Sequence, residues 1–367
     1  MRWPNPAHPI GDTLLTVVVA AAGAALFAAV SAPVYILLGP AVAVTVWGLR
    51  GGRAAIHPSL RDACFVVLGI AVGAGFDADA VAAMQRWPLA FLFMAMIIWA
   101  IMVVSGRVLV RFFGFDARSA LLAAAPGHLS FVIAMAADTG ADLTRIAVSQ
   151  SVRLLALTIV VPFVALAMGV RLTGGLVPAG VPLGPVALLA VAATAVLLGR
   201  VMGRLSVPAP LLMGAMAASA VGHLGGLLDG NVPGWLILPA YLVLGALIGT
   251  RFAGLTLAQV RSGLGAGLTI TLIAIAFAAA AAVPVAFALG MPLAHVLVAF
   301  APGGLETMIA MGVVLGVVPG FVAACHIARL LVLSVLLPVL IGRVPKDDPD
   351  PKEPGAEKER DSELKAR

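Results

Sequence analysis

Lysine is absent from the first 345 residues of this 367-residue chain, and glutamate occurs there once, at Glu306. Charged residues amount to 11% of the whole against 62% hydrophobic, and the mean hydropathy is +1.10. A soluble globule could not bury that much apolar surface, so the shortage of charge excludes one and leaves an integral membrane protein. There are only two cysteines, Cys64 and Cys325, each inside an apolar run. They make neither a disulfide framework nor a metal-spacing pattern and read as small core residues. A phosphate-cradling Gly-x-Gly loop and a nucleophile elbow are also missing.

The net charge of +6 is distributed wrongly for nucleic-acid binding. Eight of the 17 acidic residues lie in the tail from Lys346 to Arg367, leaving nine against 17 arginines before it. Those arginines stand singly or in small groups between apolar runs, as the flanks of membrane spans do. The tail, with Pro349, Pro351, Pro354 and mixed charge, reads as a disordered segment over 345–367.

What the chain does contain is one stretch twice. Ala125-Pro126-Gly127-His128-Leu129-Ser130 opens a segment running to Pro162, and Ala301-Pro302-Gly303-Gly304-Leu305-Glu306 opens one running to Pro338. At an offset of 176 with no gap, 14 of 38 positions are identical, among them Gly140/Gly316, Arg153/Arg329 and Pro162/Pro338. Some matches are free in so Ala- and Leu-rich a chain, but Pro-Gly, Gly, Arg and Pro in register signal a duplication. Earlier segments pair as well: Thr13 to Val30 with Val186 to Met202, Ser31-Ala32-Pro33 with Ser206-Val207-Pro208, Cys64 to Phe76 with Ala240 to Phe252, and Pro88 to Val110 with Leu264 to Leu289. The first run resembles a signal peptide, but its length, Pro33 after the apparent cleavage site and its counterpart in the second copy favour a retained span. The repeats are expected over 12–170 and 183–342.

One element per copy is too broken for an ordinary span. Pro126-Gly127 and Pro302-Gly303-Gly304 each divide a stretch of about twenty residues into two short helices. In lipid such irregular backbone must be buried in protein or line a wet cavity. If the element does not cross, each copy has five spans and the second copy enters the membrane inverted. The arginines favour that solution. With the amino terminus inside, Arg50, Arg53, Arg61, Arg107, Arg111, Arg118, Arg200, Arg204, Arg251, Arg261 and Arg343 all fall on the cytoplasmic side; Asp77, Asp79 and Asp229 fall outside, and only Arg86 and Arg171 dissent. The expected fold is an all-α polytopic membrane protein made of two inverted repeats, each of about five transmembrane helices plus one broken or half-crossing helix.

The Ala-Pro-Gly-Gly-Leu-Glu-Thr-Met motif at 301–308, its weaker copy at 125–130, the helices bearing Arg153 and Arg329 and the Ser-x-Pro elements resemble the AbrB family of bacterial inner-membrane proteins, over about residues 12–342. The resemblance implies a multi-pass protein of the bacterial inner membrane. Members have carried the label of an ammonia monooxygenase, and one branch is described as a regulator of gene expression. Oxidising ammonia needs a transition metal held by clustered ligands. The six histidines, at 8, 57, 128, 223, 295 and 326, form no ligand-spaced pair, and Cys325 and His326 are adjacent residues pointing to different helix faces. The i,i+4 pair Asp138 and Asp142 sits at a helix start, where capping explains it. The chain is therefore not expected to be an enzyme, and no cofactor is implied.

The candidate binding residues are Pro126, Gly127, His128, Ser130, Gln150, Arg153, Pro302, Gly303, Gly304, Glu306, His326 and Arg329. Gln150 precedes Arg153 by three, as His326 precedes Arg329, so each pair shares a helix face. An arginine near mid-membrane costs at least ~2.5 kcal/mol and must face a partner or water. It can lock unwound carbonyls or hold a solute. Glu306 can cap its short helix or act as a coupling carboxylate. Two functions follow: a secondary transporter of a small, anionic solute, or a membrane regulator or sensor that affects gene expression indirectly. The expected partners are the lipid bilayer and a small solute, with a homodimer left open and nucleic acid excluded.

Overall fold

The computed structural model describes residues 10–76, 84–127, 129–169, 177, 180–205, 207 and 209–344. Over these the chain forms fourteen helices, seven from each copy of the duplication. The first seven are α1 (Ile10–Ala29), α2 (Tyr35–Leu49), α3 (Pro58–Gly73), α4 (Trp87–Phe113), α5 (Ala117–Ala124), α6 (Leu129–Thr139) and α7 (Leu143–Ala167). The second seven are α8 (Pro185–Arg204), α9 (Pro210–Leu224), α10 (Gly234–Thr250), α11 (Leu257–Leu289), α12 (Leu293–Phe300), α13 (Leu305–Val314) and α14 (Pro319–Gly342). Corresponding helices match in length: α2 and α9 have 15 residues each, α5 and α12 have 8. Even local strain is copied. Val34 and Ala209, which precede α2 and α9, are left-handed at φ 51° and 46°, a conformation expensive for a residue with a Cβ.

Six helices (α1, α4, α7, α8, α11 and α14) are long and apolar enough to cross a membrane. Their outer faces carry large apolar side chains with nothing over them: Phe287 is 92% exposed, Val186 80% and Leu189 73%. Such a surface suits lipid and would not suit water. The expectation of ten full spans counts α2, α3, α9 and α10 as well, which at 15 to 17 residues fall short of the ~20 a straight span needs. Proline and glycine cut their ends, and they are packed inside, against one another.

The helices sort into two bundles that interleave the copies. In the smaller, α1, α2 and α3 pack with α8, α9 and α10; in the larger, α4 to α7 pack with α11 to α14. The central contacts of the smaller bundle are close backbone approaches at glycine. A Cβ on Gly245 or Gly249 of α10 would strike Leu37 and Pro40, then Val44 and Thr45, of α2; one on Gly69 or Gly73 of α3 would strike Leu212 and Ala215, then Met216 and Ser219, of α9. Rising numbers meet rising numbers, so α2 runs parallel to α10 and α3 runs parallel to α9. Ser219 secures the second pair by donating to the Ile70 carbonyl at 2.7 Å.

The broken element of the first copy is a hairpin. Asp116 caps α5 by accepting from the Ser119 amide at 2.7 Å, and Asp142 caps α7 by accepting from the Arg145 amide at 3.0 Å. The two ends of the hairpin are then tied together, since the Asp142 amide donates to Ser119 Oγ at 2.8 Å and Arg145 Nη1 donates to the Gly114 carbonyl at 2.7 Å. The chain enters α5 and leaves α6 at the same level, with Ala125-Pro126-Gly127 at the tip. Asp142 therefore has the capping role expected of it; the side chain of Asp138 lies outside the described residues, as do Asp77 and Asp79. Cys64 and Cys325 are free and buried.

Candidate functional site

Both hairpin tips turn in the same way. Proline at the second position cannot donate, and the following glycine amide bonds back two residues, Gly127 to the Ala125 carbonyl at 2.9 Å and Gly303 to the Ala301 carbonyl at 2.8 Å. The turn leaves the last carbonyls of α5 and α12 without intrahelical donors. Side chains from the next long helix supply them. Gln150 Nε2 reaches the carbonyls of Leu122, Ala123 and Ala125 at 3.1, 3.4 and 2.9 Å, and Arg153 Nη1 donates to Ala125 at 3.2 Å. Arg153 Nη2 in turn donates to Gln150 Oε1 at 2.5 Å. In the second copy Arg329 Nη2 donates to the Gly303 carbonyl at 2.8 Å, with Nη1 at 3.4 Å from Ala301. A cation at a helix carboxyl end also complements the helix dipole. The arginines thus lock the unwound carbonyls.

Locking does not use the whole of either guanidinium. Arg153 and Arg329 are 4% and 2% exposed, and Nε of each is buried with no hydrogen-bond partner. Both line a cleft whose empty space, open mouth included, is about 480 Å³. The cleft lies between the tips, walled by Gly127, Gln150 and Leu154 of the first copy and by Gly303, Gly304 and Glu306 of the second. The tips lean across: Gly127 meets Leu333 of α14, and Gly304 meets Leu154 of α7. The amino end of α13 opens on this space, because Gly304 provides no side-chain cap for its first amides. Free amides at a helix start attract anions.

Glu306, in the first turn of α13, is half-buried and faces the cleft. It is within electrostatic range of Arg251 and Arg329. Among the described residues the ion pairs are Arg61 with Asp62 and Arg145 with Asp142, so Glu306 stops short of pairing with either arginine. Nor does its carboxylate cap α13. Arg251 is the residue that sequence reasoning put elsewhere, among the cytoplasmic flanks. It ends α10 in the smaller bundle, yet its side chain reaches the cleft. Its counterpart in the first copy is Gly75, so duplication gave no signal for it.

The chain matches the family described as "Transition state regulatory protein AbrB" over residues 36–344. It belongs to the AbrB family. Among curated relatives it is 26% identical over 292 residues to "Uncharacterized protein YhjN" of Bacillus subtilis (strain 168), covering 74% of this chain and 75% of that one. It is 27% identical over 232 residues to "Putative regulator AbrB" of Escherichia coli (strain K12), covering 62% of this chain and 66% of that one.

Of the residues expected in the site, this AbrB-family chain brings Gly127, Gln150, Arg153, Gly303, Gly304, Glu306 and Arg329 to the cleft. Pro126 and Pro302 shape the tips behind them. His326 is buried one turn before Arg329, donates Nδ1–H to the Val322 carbonyl at 2.9 Å and lies near the Ala301 carbonyl of its hairpin, as its counterpart Gln150 lies against Ala125. His128 and the side chain of Ser130 lie outside the described residues.

Proposed function

We propose that this AbrB-family membrane protein is a secondary transporter of a small anionic solute, and that the cleft between the hairpin tips is its binding site. The observation that carries the reading is the pair of buried guanidiniums, Arg153 and Arg329, each locked to one hairpin and both lining the cleft on which the uncapped amino end of α13 opens. Two cations held this close in one cleft suit an anionic solute between the tips. Broken helices meeting between repeats are a recurrent design for transport sites.

Inverted repeats are part of the proposal. The hairpin that returns to its own side leaves each copy with an odd number of crossings. The parallel pairs α2/α10 and α3/α9 support the same arrangement: if successive helices alternate, α9 runs with α3 and hence against α2, its own counterpart. Arg50, Arg53, Arg61, Arg200, Arg204, Arg251 and Arg261 then share one face, which we assign to the cytoplasm of a bacterial inner membrane together with the amino terminus and the tail. Repeat boundaries at 12–170 and 183–342 go with this scheme. The proposal gives the chain no reaction to catalyse, no nucleic-acid partner and no cofactor, and leaves a homodimer compatible with it.

A regulatory role is the second reading, favoured by the name of the Escherichia coli relative. It would act through the same cleft as a sensor. Purified protein in lipid vesicles, offered a panel of small organic and inorganic anions under an imposed proton gradient, tests the first reading. Accumulation in wild-type vesicles and not in Arg153→Gln/Arg329→Gln vesicles is expected. Anion binding without accumulation under any gradient would reject transport in favour of sensing.

A further inference from the structure

Resting on the anion-site reading, we propose that the cleft takes a small dianion and that Arg251 is the residue that selects two negative charges over one. Among the described residues three guanidiniums, of Arg153, Arg251 and Arg329, line the cleft with one carboxylate, Glu306. With that carboxylate ionised, two positive charges are left over. Among the described residues no ion pair takes them up, since those pairs lie at Arg61 and Arg145. Arg153 and Arg329 are also within electrostatic range of each other, so an anion in the cleft relieves like-charge repulsion. A monoanion balances the charge that the buried pair and Glu306 leave between them, and the charge of Arg251, at the accessible side of the cleft, is then unmet; a dianion closes the balance of all three.

Arg251 differs from the other two in where it comes from and in what holds it. It is supplied by α10 of the smaller bundle, whereas α7, α13 and α14 of the larger bundle supply the rest. It is the most accessible of the three and makes no hydrogen bond to a hairpin carbonyl, so its charge is not spent on the lock. A ligand with one anionic end on the buried pair and a second charge on Arg251 touches both bundles at once. A dicarboxylate and a tetrahedral oxyanion share this chemistry.

The test is thermal unfolding of the purified full-length protein in detergent, titrated with two matched pairs: succinate against succinamate, and sulfate against methanesulfonate. At least one dianion should bind about tenfold more tightly than its monoanionic partner, the loss of one charge-assisted contact; the pair that shows it separates carboxylate from oxyanion. Arg251→Gln should bring the ratio to about one, and Arg251→Lys should restore most of it. Arg251 lies at an exposed helix end, and the unfolding profile of each variant without ligand checks that it is folded. No dianion preference in the wild type, or one that survives Arg251→Gln, overturns the proposal. Equal binding within pairs that is lost in Arg329→Gln removes the dianion and keeps the anion site; no stabilisation by any of the four probes removes both.

Discussion

Replacing Arg329 by lysine separates the two tasks of that residue. In the native chain Nη2 holds the Gly303 carbonyl at 2.8 Å, while the 3.4 Å from Nη1 to Ala301 is at the weak end of hydrogen bonding. Most of the lock is therefore one bond, and a lysine ammonium on its flexible stem can make one bond. The stability lost in Arg329→Lys should be about 1 kcal/mol, the value of the weaker contact and some looser packing. Binding should suffer more. The planar fork and the unpartnered Nε cannot be reproduced by an ammonium, and a lost charge-assisted contact of about 1.5–3 kcal/mol weakens an anion roughly ten- to hundredfold. Thermal unfolding of one preparation, with and without the anion that stabilises the wild type, reads both quantities. Arg329→Met is the control, since it strands the Gly303 carbonyl in an apolar site and should cost at least about 1–3 kcal/mol even without ligand. If Arg329→Lys binds the anion as tightly as the wild type, the guanidinium serves the hairpin only, and its place in the site is refuted.

Glu306→Gln should abolish gradient-driven accumulation in vesicles while solute exchange survives, because the substitution keeps shape and removes the titrating group; unchanged accumulation would show that the carboxylate is not the coupling group. Reporter fusions after Arg53 and after Arg204 should both read cytoplasmic and one after Asp229 periplasmic, and opposite sides for the first two would sink the inverted arrangement. Gly69→Val and Gly245→Val, at equivalent places in the two copies, should each destabilise the protein by about 1–3 kcal/mol or more, since a Cβ at either point meets helix backbone; thermal stability equal to the wild type would contradict the close α3/α9 and α2/α10 contacts.

Much of the architecture was legible without coordinates, because its causes are local or repeated. Apolar composition required a membrane, and arginines between runs marked where helices end. Pro126-Gly127 and Pro302-Gly303 break helices by removing a donor and a Cβ, so the short helices α5, α6, α12 and α13 follow from residue chemistry. The duplication then drew attention to Arg153 and Arg329, since a guanidinium retained at the same point of two apolar helices needs a partner in both. Tertiary structure decided what those partners are. Whether an arginine finds a carbonyl to lock depends on a backbone turn 26 to 28 residues away in sequence, and here both arginines lock one through their Nη atoms and keep Nε without a partner. It also decided Arg251. From sequence that residue is one more charge at the end of a span, with a glycine as its counterpart; only the docking of α10 against the larger bundle carries it to the cleft. Composition and periodicity report what a segment meets first, which is lipid or its neighbouring turn. Convergence of charges from two bundles is a property of how the helices cross, and no local pattern encodes it.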